Sequence, residues 1–410
     1  MLHLRKAFFN MAKILITGNG FDLFHHLPTK YHHFISIMQT IENNVYATDV
    51  SFEKLFGEVF KLRYQSDYNS IVENYNSGNI KFSSEKLNKI RQLLETNLWY
   101  KHFKNVLEID TWIDFEMEIE SILNQFEIFN KHEDKRVVRK NLFDDYLFGF
   151  TNFELFEIIK NKPISQIPFR LNEKYINGRK FSIDIKKMLD DLAKSFEGFI
   201  VIFNRYLVDV VSVFYSEIKQ KSEIPFHLLS EIYTFNYTPT LENLYKVEKS
   251  KVVYLHGEIN EDCSKQNLVL GISELPKHIR MSKMFDFTKY YQKINKKSNK
   301  KFIDIPEQKS HSLDENIFYI IGHSLDDSDK EYISDLFKFL DFDLRKNAKI
   351  CVFYFNSRDM ENKLRNLFSI IGRDIVVNMD KEDRLYFVEL NEKNIIKEFE
   401  RQTYKYEIFI

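Results

Sequence analysis

Apolar residues recur with two different periods along the chain. A short apolar run at 14–16 stops at a pair of glycines, and from residue 31 to about 220 apolar residues recur every three or four positions. That spacing predicts helices, because it puts the apolar side chains on one face. The clearest helix covers 185–219, and patchier helical patterns occupy 84–108 and 114–130.

The pattern changes after Pro225, where short β-branched or aromatic runs alternate with helical segments at 330–344 and 359–371. The candidate strands are 231–236, 252–255, 267–270, 317–321, 350–355 and 384–389. Such alternation predicts a mostly parallel sheet covered on both sides. The fold class is therefore α/β, a Rossmann-like sheet that includes the opening strand and carries a large all-helical insertion after it.

Length and composition limit the possibilities further. The chain has 410 residues, more than a single core usually holds. We expect an α/β nucleotide-binding domain at 11–31 and 225–410, and a helical insertion domain at 32–224. A net charge of −1 does not favour a nucleic-acid partner or an anionic-membrane partner. The two cysteines, Cys263 and Cys351, are too far apart in sequence to suggest a disulfide framework or a thiolate zinc site.

The most apolar long segment, 199–215, is interrupted by Asn204, Arg205 and Asp209. We therefore interpret it as an amphipathic core helix and not as a membrane span. The first ten residues are too polar for a secretory signal. These features predict a soluble, cytoplasmic protein with no membrane partner.

The opening strand ends at Gly18-Asn19-Gly20, and a helix-compatible segment follows. A strand that turns into a helix at glycines presents backbone N–H groups and a positive helix end, which suits phosphate. Asp22 is the predicted N-cap of that helix. Leu23 stands where the dinucleotide fingerprint needs a third glycine. This stretch alone is equally compatible with a ligand-free turn.

Polar residues follow five of the predicted strands. They are Gly18-Asn19-Gly20, Asn236-Tyr237-Thr238-Pro239, His256-Gly257, Gly271-Ile272-Ser273 and the run from Gly322 to Asp327. In open α/β sheets ligands bind outside the carboxyl ends of the strands. Five such ends together therefore predict a nucleotide site.

His256 is the candidate for proton transfer, and Asn236 offers an amide for a ribose hydroxyl or a water. His323, Ser324 and Asp326 are candidates for holding a ribose or phosphate. Each has an ordinary structural alternative: a hydrogen-bonded histidine, an Asx turn before a proline, or acids that begin the next helix.

The segment Trp112-Ile113-Asp114-Phe115-Glu116 stands apart from the strand ends, and Glu118 follows it. Asp114 and Glu118 are four apart and share a helix face. A carboxylate pair of this kind serves acid–base or metal chemistry, but such a pair more often belongs to a solvated helix face. We predict no metal site.

Taken together, the motifs resemble those of the AbiH family, bacterial abortive-infection proteins that act against phage. The matching stretches are G-N-G-F-D-L…L-P-T-x-Y (Gly18 to Tyr31), W-x-D-x-E (Trp112 to Glu116), T-F-N-Y-T (Thr234 to Thr238), L-H-G (Leu255 to Gly257) and G-H-S-L-x-D (Gly322 to Asp327). They span nearly the whole chain.

AbiH proteins are in turn distantly similar to sirtuin-like domains, and this resemblance implies a site for NAD. Asn236 and His256 would be the catalytic residues. The residues implied in binding are Gly18, Asn19, Gly20, Phe21, Asp22, Thr234, Gly322, His323, Ser324 and Asp326. The four-cysteine zinc module of sirtuins is impossible with two cysteines, which argues against protein deacylation.

The resemblance implies an abortive-infection effector that hydrolyses NAD at the nicotinamide–ribose bond and so arrests the infected cell. NAD, or a related adenine nucleotide, would be its substrate. We also expect a homo-oligomer that is kept latent until infection. One alternative is a metal-dependent nuclease or nucleotide-processing toxin that uses acids such as Asp114 or Asp327. Another is a non-catalytic nucleotide sensor that acts with a partner effector.

Overall fold

The chain forms two compact units. A computed structural model describes residues 12–109, 114–134, 152–159, 172–177, 182–275, 283–298, 302–303, 316–341 and 348–401. The α/β unit comprises 1–27, 218–258 and 298–410, and the helical unit comprises 28–217 and 259–297. The domain boundaries drawn from sequence stay a prediction; they did not group residues 259–297 with the helices.

Within the described residues, the α/β unit contains a six-stranded sheet. Its strands are β1 (Ala12–Thr17), β2 (Glu231–Thr234), β3 (Val252–Tyr254), β4 (Asn316–Ile321), β5 (Lys349–Tyr354) and β6 (Leu385–Glu389). Their order is β6-β5-β4-β1-β2-β3, and every neighbouring pair is parallel. This confirms the predicted α/β, Rossmann-like fold. The strand order reverses between β1 and β4, the position at which such sheets usually bind ligands.

Both faces of the sheet are covered, because successive residues of a strand point to opposite sides. Ile16 belongs to one buried cluster and Leu15 to the other. The α-helices of this unit are Asn19–Phe24, Thr240–Tyr245, Lys330–Asp341, Ser357–Ile370, Arg373–Lys381 and Glu392–Glu400. Short 3₁₀ turns span Phe226–Leu228, Lys249–Lys251 and Asp327–Asp329.

The helical unit is built mainly from α-helices with an aromatic core. Those helices are Tyr31–Glu42, Phe52–Phe56, Val59–Arg63, Gln65–Asn74, Ser84–Thr96, Leu98–Ile109, Phe115–Asp134, Asn152–Leu155, Ile185–Tyr206 and Lys289–Asn295. Short 3₁₀ turns span Glu173–Tyr175 and Phe285–Phe287. Two small antiparallel pairs join Val50–Ser51 to Lys81–Phe82 and Ile176–Asn177 to Ser182–Ile183.

The helix predicted at 185–219 is present, but its geometry changes along its length. The α-helix Ile185–Tyr206 continues as a π-helical turn, Leu207–Val211, and a 3₁₀ segment, Ser212–Ser216. It is apolar and long enough to cross a membrane, yet 61% of its most apolar 18-residue stretch is buried inside the protein. That burial is typical of the core helix of a soluble protein.

The helix predicted at 84–108 is two helices, because Asn97 interrupts it. Its side-chain Oδ1 accepts a hydrogen bond from the N–H of Tyr100 at 2.8 Å, and its Nδ2 donates to the carbonyl of Ser195. An asparagine that binds backbone groups in this way begins a new helix in preference to extending the old one.

The prediction of a strand at 267–270 was wrong. This segment belongs to the helical unit, and no strand is assigned to it. The side chain of Gln292 binds both the N–H and the carbonyl of Leu270, and Lys296 binds the carbonyl of Leu268. Side chains of the neighbouring helix therefore satisfy backbone groups that a sheet partner would otherwise bind.

Candidate functional site

Four neighbouring strands of the α/β unit end level with one another, and their last residues form one row in which neighbours pair across the sheet. The row consists of Ile321, Thr17, Thr234 and Tyr254. Two positions beyond it stand His323, Asn19, Asn236 and His256. The sheet therefore brings four of the five predicted strand ends to one edge. The fifth, at Gly271, lies in the helical unit.

The glycine turn packs directly against the loop that follows β4. A Cβ on Gly18 would lie 2.8 Å from the carbonyl oxygen of Gly322, and one on Gly20 would lie 2.7 Å from its Cα. The N–H of Gly18 donates to Ile321 at 3.1 Å, and that of Gly20 donates to Gly322 at 2.8 Å. These glycines allow a close approach of two loops, and both amides are bound by protein carbonyls.

The side chain of Asp22, in the first helix, accepts hydrogen bonds from the segment that follows β2. Thr238 Oγ1 donates to its Oδ2 at 2.5 Å, and Thr240 Oγ1 donates to its Oδ1 at 2.6 Å. The prediction that Asp22 is the helix N-cap was wrong, because Gly18 occupies that position. Asp22 lies within the helix, and its side chain is buried.

Burial raises the pKa of Asp22 to about 6, against hydrogen bonds from Thr238 and Thr240 that lower it. Asn236 is only 5% exposed. Its backbone N–H donates to Thr234 Oγ1 at 3.0 Å. Within the described residues, its side-chain Oδ1 has no hydrogen-bond partner. A buried acceptor without a partner is a feature that a ligand or a water would satisfy.

His256 lies next to a carboxylate that the sequence analysis did not assign to the site. Its Nε2 is 3.1 Å from Oδ1 of Asp329, and Nε2 of His323 is 3.4 Å from Oδ2 of the same residue. The Nδ1 of His323 accepts a hydrogen bond from the N–H of Leu325, which leaves the ring proton on Nε2 when the ring is neutral. One buried carboxylate thus lies within ion-pair distance of two imidazoles.

Aromatic rings surround this group. Phe235 lies 5.1 Å from the ring of His256 and 4.4 Å from that of His323, and Tyr332 lies 5.1 Å from Phe235. Tyr237 lies 6.3 Å from His256. Apolar surroundings strengthen the interaction between an imidazole and a carboxylate, because water screens it less.

The remaining predicted site residues have identifiable contacts. Asp326 caps the 3₁₀ turn by accepting from the N–H of Ser328 at 3.1 Å, and Ser324 Oγ donates to its other oxygen at 2.5 Å. The hydroxyl oxygens of Thr234 and Thr17 are 2.8 Å apart. Phe21 is buried in the core and packs edge-on against Phe226, with ring centroids 5.9 Å apart.

The carboxylates near position 114 form pairs inside the helical unit. Asp114 Oδ1 accepts from the N–H groups of Glu116 and Met117 and so caps the following helix. Glu116 lies 2.7 Å from the ammonium of Lys289, and Glu118 lies 3.1 Å from His102. Trp112 lies outside the described residues. In the part of the chain that is described, no group of three or more His, Cys, Asp or Glu side chains has a metal-binding arrangement.

Asp329 is the site residue that sequence reasoning missed. It is the last of three acids at 326, 327 and 329, and all three looked like the start of the next helix. Only Asp329 is buried, whereas the side chain of Asp327 is 77% exposed. The one available signal was position: Asp329 comes one turn before Ile333, the first apolar residue of the helix face that packs on the sheet.

Comparison with known proteins agrees with the motifs. A family model described as bacteriophage abortive infection AbiH matches residues 14–354. The chain belongs to the AbiH family. The matched region of this AbiH protein includes residues 14–17 of β1, all of β2 to β5, both histidines and Asp329. The family points to a role in abortive-infection defence against bacteriophage. No curated protein and no solved structure matches the chain.

Proposed function

We propose that this AbiH protein arrests infected cells by hydrolysing NAD at the bond between nicotinamide and ribose. The observation that carries the proposal is the pairing of Asn236 and His256 at the ends of two neighbouring strands. Asn236 offers a buried carbonyl oxygen that has no partner among the described residues, and His256 offers an imidazole whose Nε2 lies 3.1 Å from Asp329. The strand order, with its reversal between β1 and β4, is the one that dinucleotide-binding sheets use.

The chemistry needs few groups. The nicotinamide of NAD is a cationic pyridinium, so its nitrogen takes the electron pair of the broken bond without a proton donor. A water oxygen then bonds to the ribose C1′, and its proton passes to His256 and on to solvent. Asp329 stabilises the imidazolium that forms, as carboxylates do in other histidine-based sites. Asn236 accepts a hydrogen bond from a ribose hydroxyl or from the attacking water.

The two other interpretations have less support. The nuclease interpretation needs clustered carboxylates, yet Asp114 caps a helix, Glu116 pairs with Lys289, and Asp326 caps a turn. The sensor interpretation shares the nucleotide site and differs only in lacking turnover. It is therefore an outcome of the experiment below.

The test is release of nicotinamide from NAD by protein purified from phage-challenged cells, quantified by chromatography. We expect release by the wild type and its loss in Asn236→Ala and His256→Ala. Asn243→Ala and His227→Ala are matched controls, because both side chains are exposed in the same unit. Metal-dependent cleavage of RNA or DNA with NAD untouched would select the nuclease. A nucleotide-induced thermal shift without turnover would select the sensor.

A further inference from the structure

Four large apolar side chains are exposed within ten residues of the helical unit. The exposed fractions are 40% for Phe285, 54% for Tyr290, 42% for Tyr291 and 56% for Ile294. Tyr290 and Ile294 are four apart in the helix Lys289–Asn295, so they share one of its faces. The rings of Phe285 and Tyr291 lie 6.4 Å apart and are inclined by 32°. We call these four residues the Tyr290 patch, and apolar side chains clustered on a surface in this way mark a binding site.

The backbone that carries the Tyr290 patch is fixed by hydrogen bonds and packing. The N–H of Ile272 donates to the carbonyl of Phe287 at 3.0 Å, and the N–H of Lys289 donates to the carbonyl of Ile272 at 2.9 Å. The side chain of Phe287 is buried, and its ring lies 5.4 Å from that of Phe196. A well-packed segment therefore presents the exposed rings, so a ligand that meets them loses little free energy in ordering the protein.

Lysines are concentrated in the same segment. Residues 283–298 contain five lysines and a single acidic residue, although the whole chain has a net charge of −1. Two of these lysines pair with glutamates of the helical unit. Lys289 lies 2.7 Å from Glu116, and Lys296 lies 3.2 Å from Glu197. Part of the positive charge is therefore used inside the unit and is not available to a partner.

Lys283 and Lys297 are the lysines that remain available. Both are exposed, and neither has an ion-pair partner among the described residues. Lys283 comes two residues before Phe285, and Lys297 comes three residues after Ile294, so one cation flanks the Tyr290 patch on each side in sequence. Asp286 is the one carboxylate of the segment. The net charge of the whole chain could not reveal this local excess of positive charge.

Exposed rings together with unpaired lysines distinguish between classes of partner. The cores of protein–protein interfaces are rich in aromatic residues but depleted of lysine. Proteins that bind single-stranded nucleic acid combine aromatic rings, on which bases stack, with cations along the phosphates. We propose that the Tyr290 patch binds single-stranded nucleic acid: bases stack on its three rings, and phosphates lie beside Lys283 and Lys297. This site is independent of NAD hydrolysis, because Asn236 and His256 belong to the other unit.

The test is the binding of fluorescein-labelled oligothymidine and oligouridine to the full chain, measured by fluorescence anisotropy at several salt concentrations. We expect saturable binding of the single strands and much weaker binding of a duplex, whose bases are already stacked on one another. Tighter binding of oligouridine identifies RNA as the ligand, and tighter binding of oligothymidine identifies DNA. Equal binding indicates a surface that does not contact the ribose 2′-hydroxyl.

Substitutions at Tyr290 separate stacking from simple apolar contact. Tyr290→Phe keeps an aromatic ring, whereas Tyr290→Leu keeps only an apolar side chain, and more than half of Tyr290 is exposed, so both variants should fold. We expect Kd for the single strand to rise about 10-fold in Tyr290→Leu and to change little in Tyr290→Phe. Lys297→Gln should lower the slope of log Kd against log salt concentration by about 0.7. Lys81→Gln, at an exposed lysine elsewhere in the helical unit, is the matched control and should leave the slope unchanged.

Several results would overturn the proposal. The first is an absence of saturable binding of either single strand at physiological salt. The second is an equal Kd for Tyr290→Leu and Tyr290→Phe, and the third is a duplex that binds as tightly as the single strands. A concentration-dependent dimer, detected by light scattering and lost in Tyr290→Leu, with no binding of either oligonucleotide, would assign the Tyr290 patch to an interface between two copies of the chain and would likewise overturn the proposal.

Discussion

His256 and Asp329 approach each other to 3.1 Å, from Nε2 to Oδ1, at the carboxyl edge of the parallel sheet. His256 follows β3, whereas Asp329 precedes the helix after β4. The carboxylate is almost buried and also lies 3.4 Å from His323. A carboxylate at this distance stabilises the imidazolium form of His256, which is the form that a general base reaches when it accepts a proton.

The first prediction concerns Asp329. Asp329→Asn keeps the size of the side chain and removes the charge that stabilises an imidazolium at His256. We expect the rate of nicotinamide release to fall about 10²- to 10³-fold, by analogy with carboxylates that orient catalytic histidines. Asp327→Asn is the matched control, because that side chain is largely exposed and lies on the same turn. Equal rates in the two variants would show that Asp329 has no such role.

The second prediction concerns the close approach of the two loops. Gly20→Ala places a methyl group 2.7 Å from the Cα of Gly322, so one of the backbones must move. We expect a loss of roughly 1–3 kcal/mol in the free energy of unfolding, the usual cost of overpacking. Denaturant titration measures it. Gly78→Ala is the control, since nothing lies within 4 Å of the added carbon. A neutral Gly20→Ala would contradict the packing described here.

The third prediction is a pH dependence from Asp22. Its pKa is raised to about 6 in the folded protein, so its contribution to stability is fully present below about pH 4 and is lost as the pH rises through 6. Relative to Asp22→Asn, the wild type should lose roughly 2 kcal/mol between pH 4 and 7. Hydrogen exchange of the β1 amides reports this. A constant difference between the two proteins would contradict the burial of a titrating carboxylate.

The fourth prediction is a pH dependence of stability from His25, and its sign is opposite to that from Asp22. Burial lowers the pKa of His25 to about 4, and its Nδ1 donates to the carbonyl of Phe21 at 2.7 Å while Nε2 accepts from Tyr245. Its contribution to stability is present above about pH 6.5 and is lost as the pH falls through 4. Relative to His25→Gln, the wild type should lose roughly 3 kcal/mol between pH 7 and 4. The same exchange measurement checks it, and a wild type that gains stability on acidification relative to His25→Gln would refute it.

The sheet could be predicted from sequence because buried parallel strands are short, apolar and separated by helices. The same pattern led to a wrong strand prediction at 267–270. There the backbone N–H and carbonyl of Leu270 hydrogen-bond to the side chain of Gln292 and not to a neighbouring strand. Periodicity also could not locate the break at Asn97, because a single asparagine hardly disturbs the spacing of apolar residues around it.

The sequence predicted where the candidate site lies, but it did not predict the roles of several of its residues. Residues that follow parallel strands lie at the same carboxyl edge of the sheet, and Asn236 and His256 were predicted as site residues for that reason. The structure changes the role of Asp22, from a helix cap to a buried acceptor for the hydroxyls of Thr238 and Thr240. It adds Asp329, whose burial depends on tertiary packing that three neighbouring acids do not reveal. Gly18 and Gly20 were predicted to bind phosphate, whereas their amides bind the carbonyls of Ile321 at the end of β4 and of Gly322 after it.

The most direct test of NAD hydrolysis is the metabolite content of phage-infected cells that carry the wild type or His256→Ala. NAD and nicotinamide are measured by mass spectrometry through the infection, at matched protein levels, with His227→Ala as the control. The account predicts that NAD falls and nicotinamide rises in the wild type and the control but not in His256→Ala. Growth arrest with unchanged NAD in wild-type cells would contradict it.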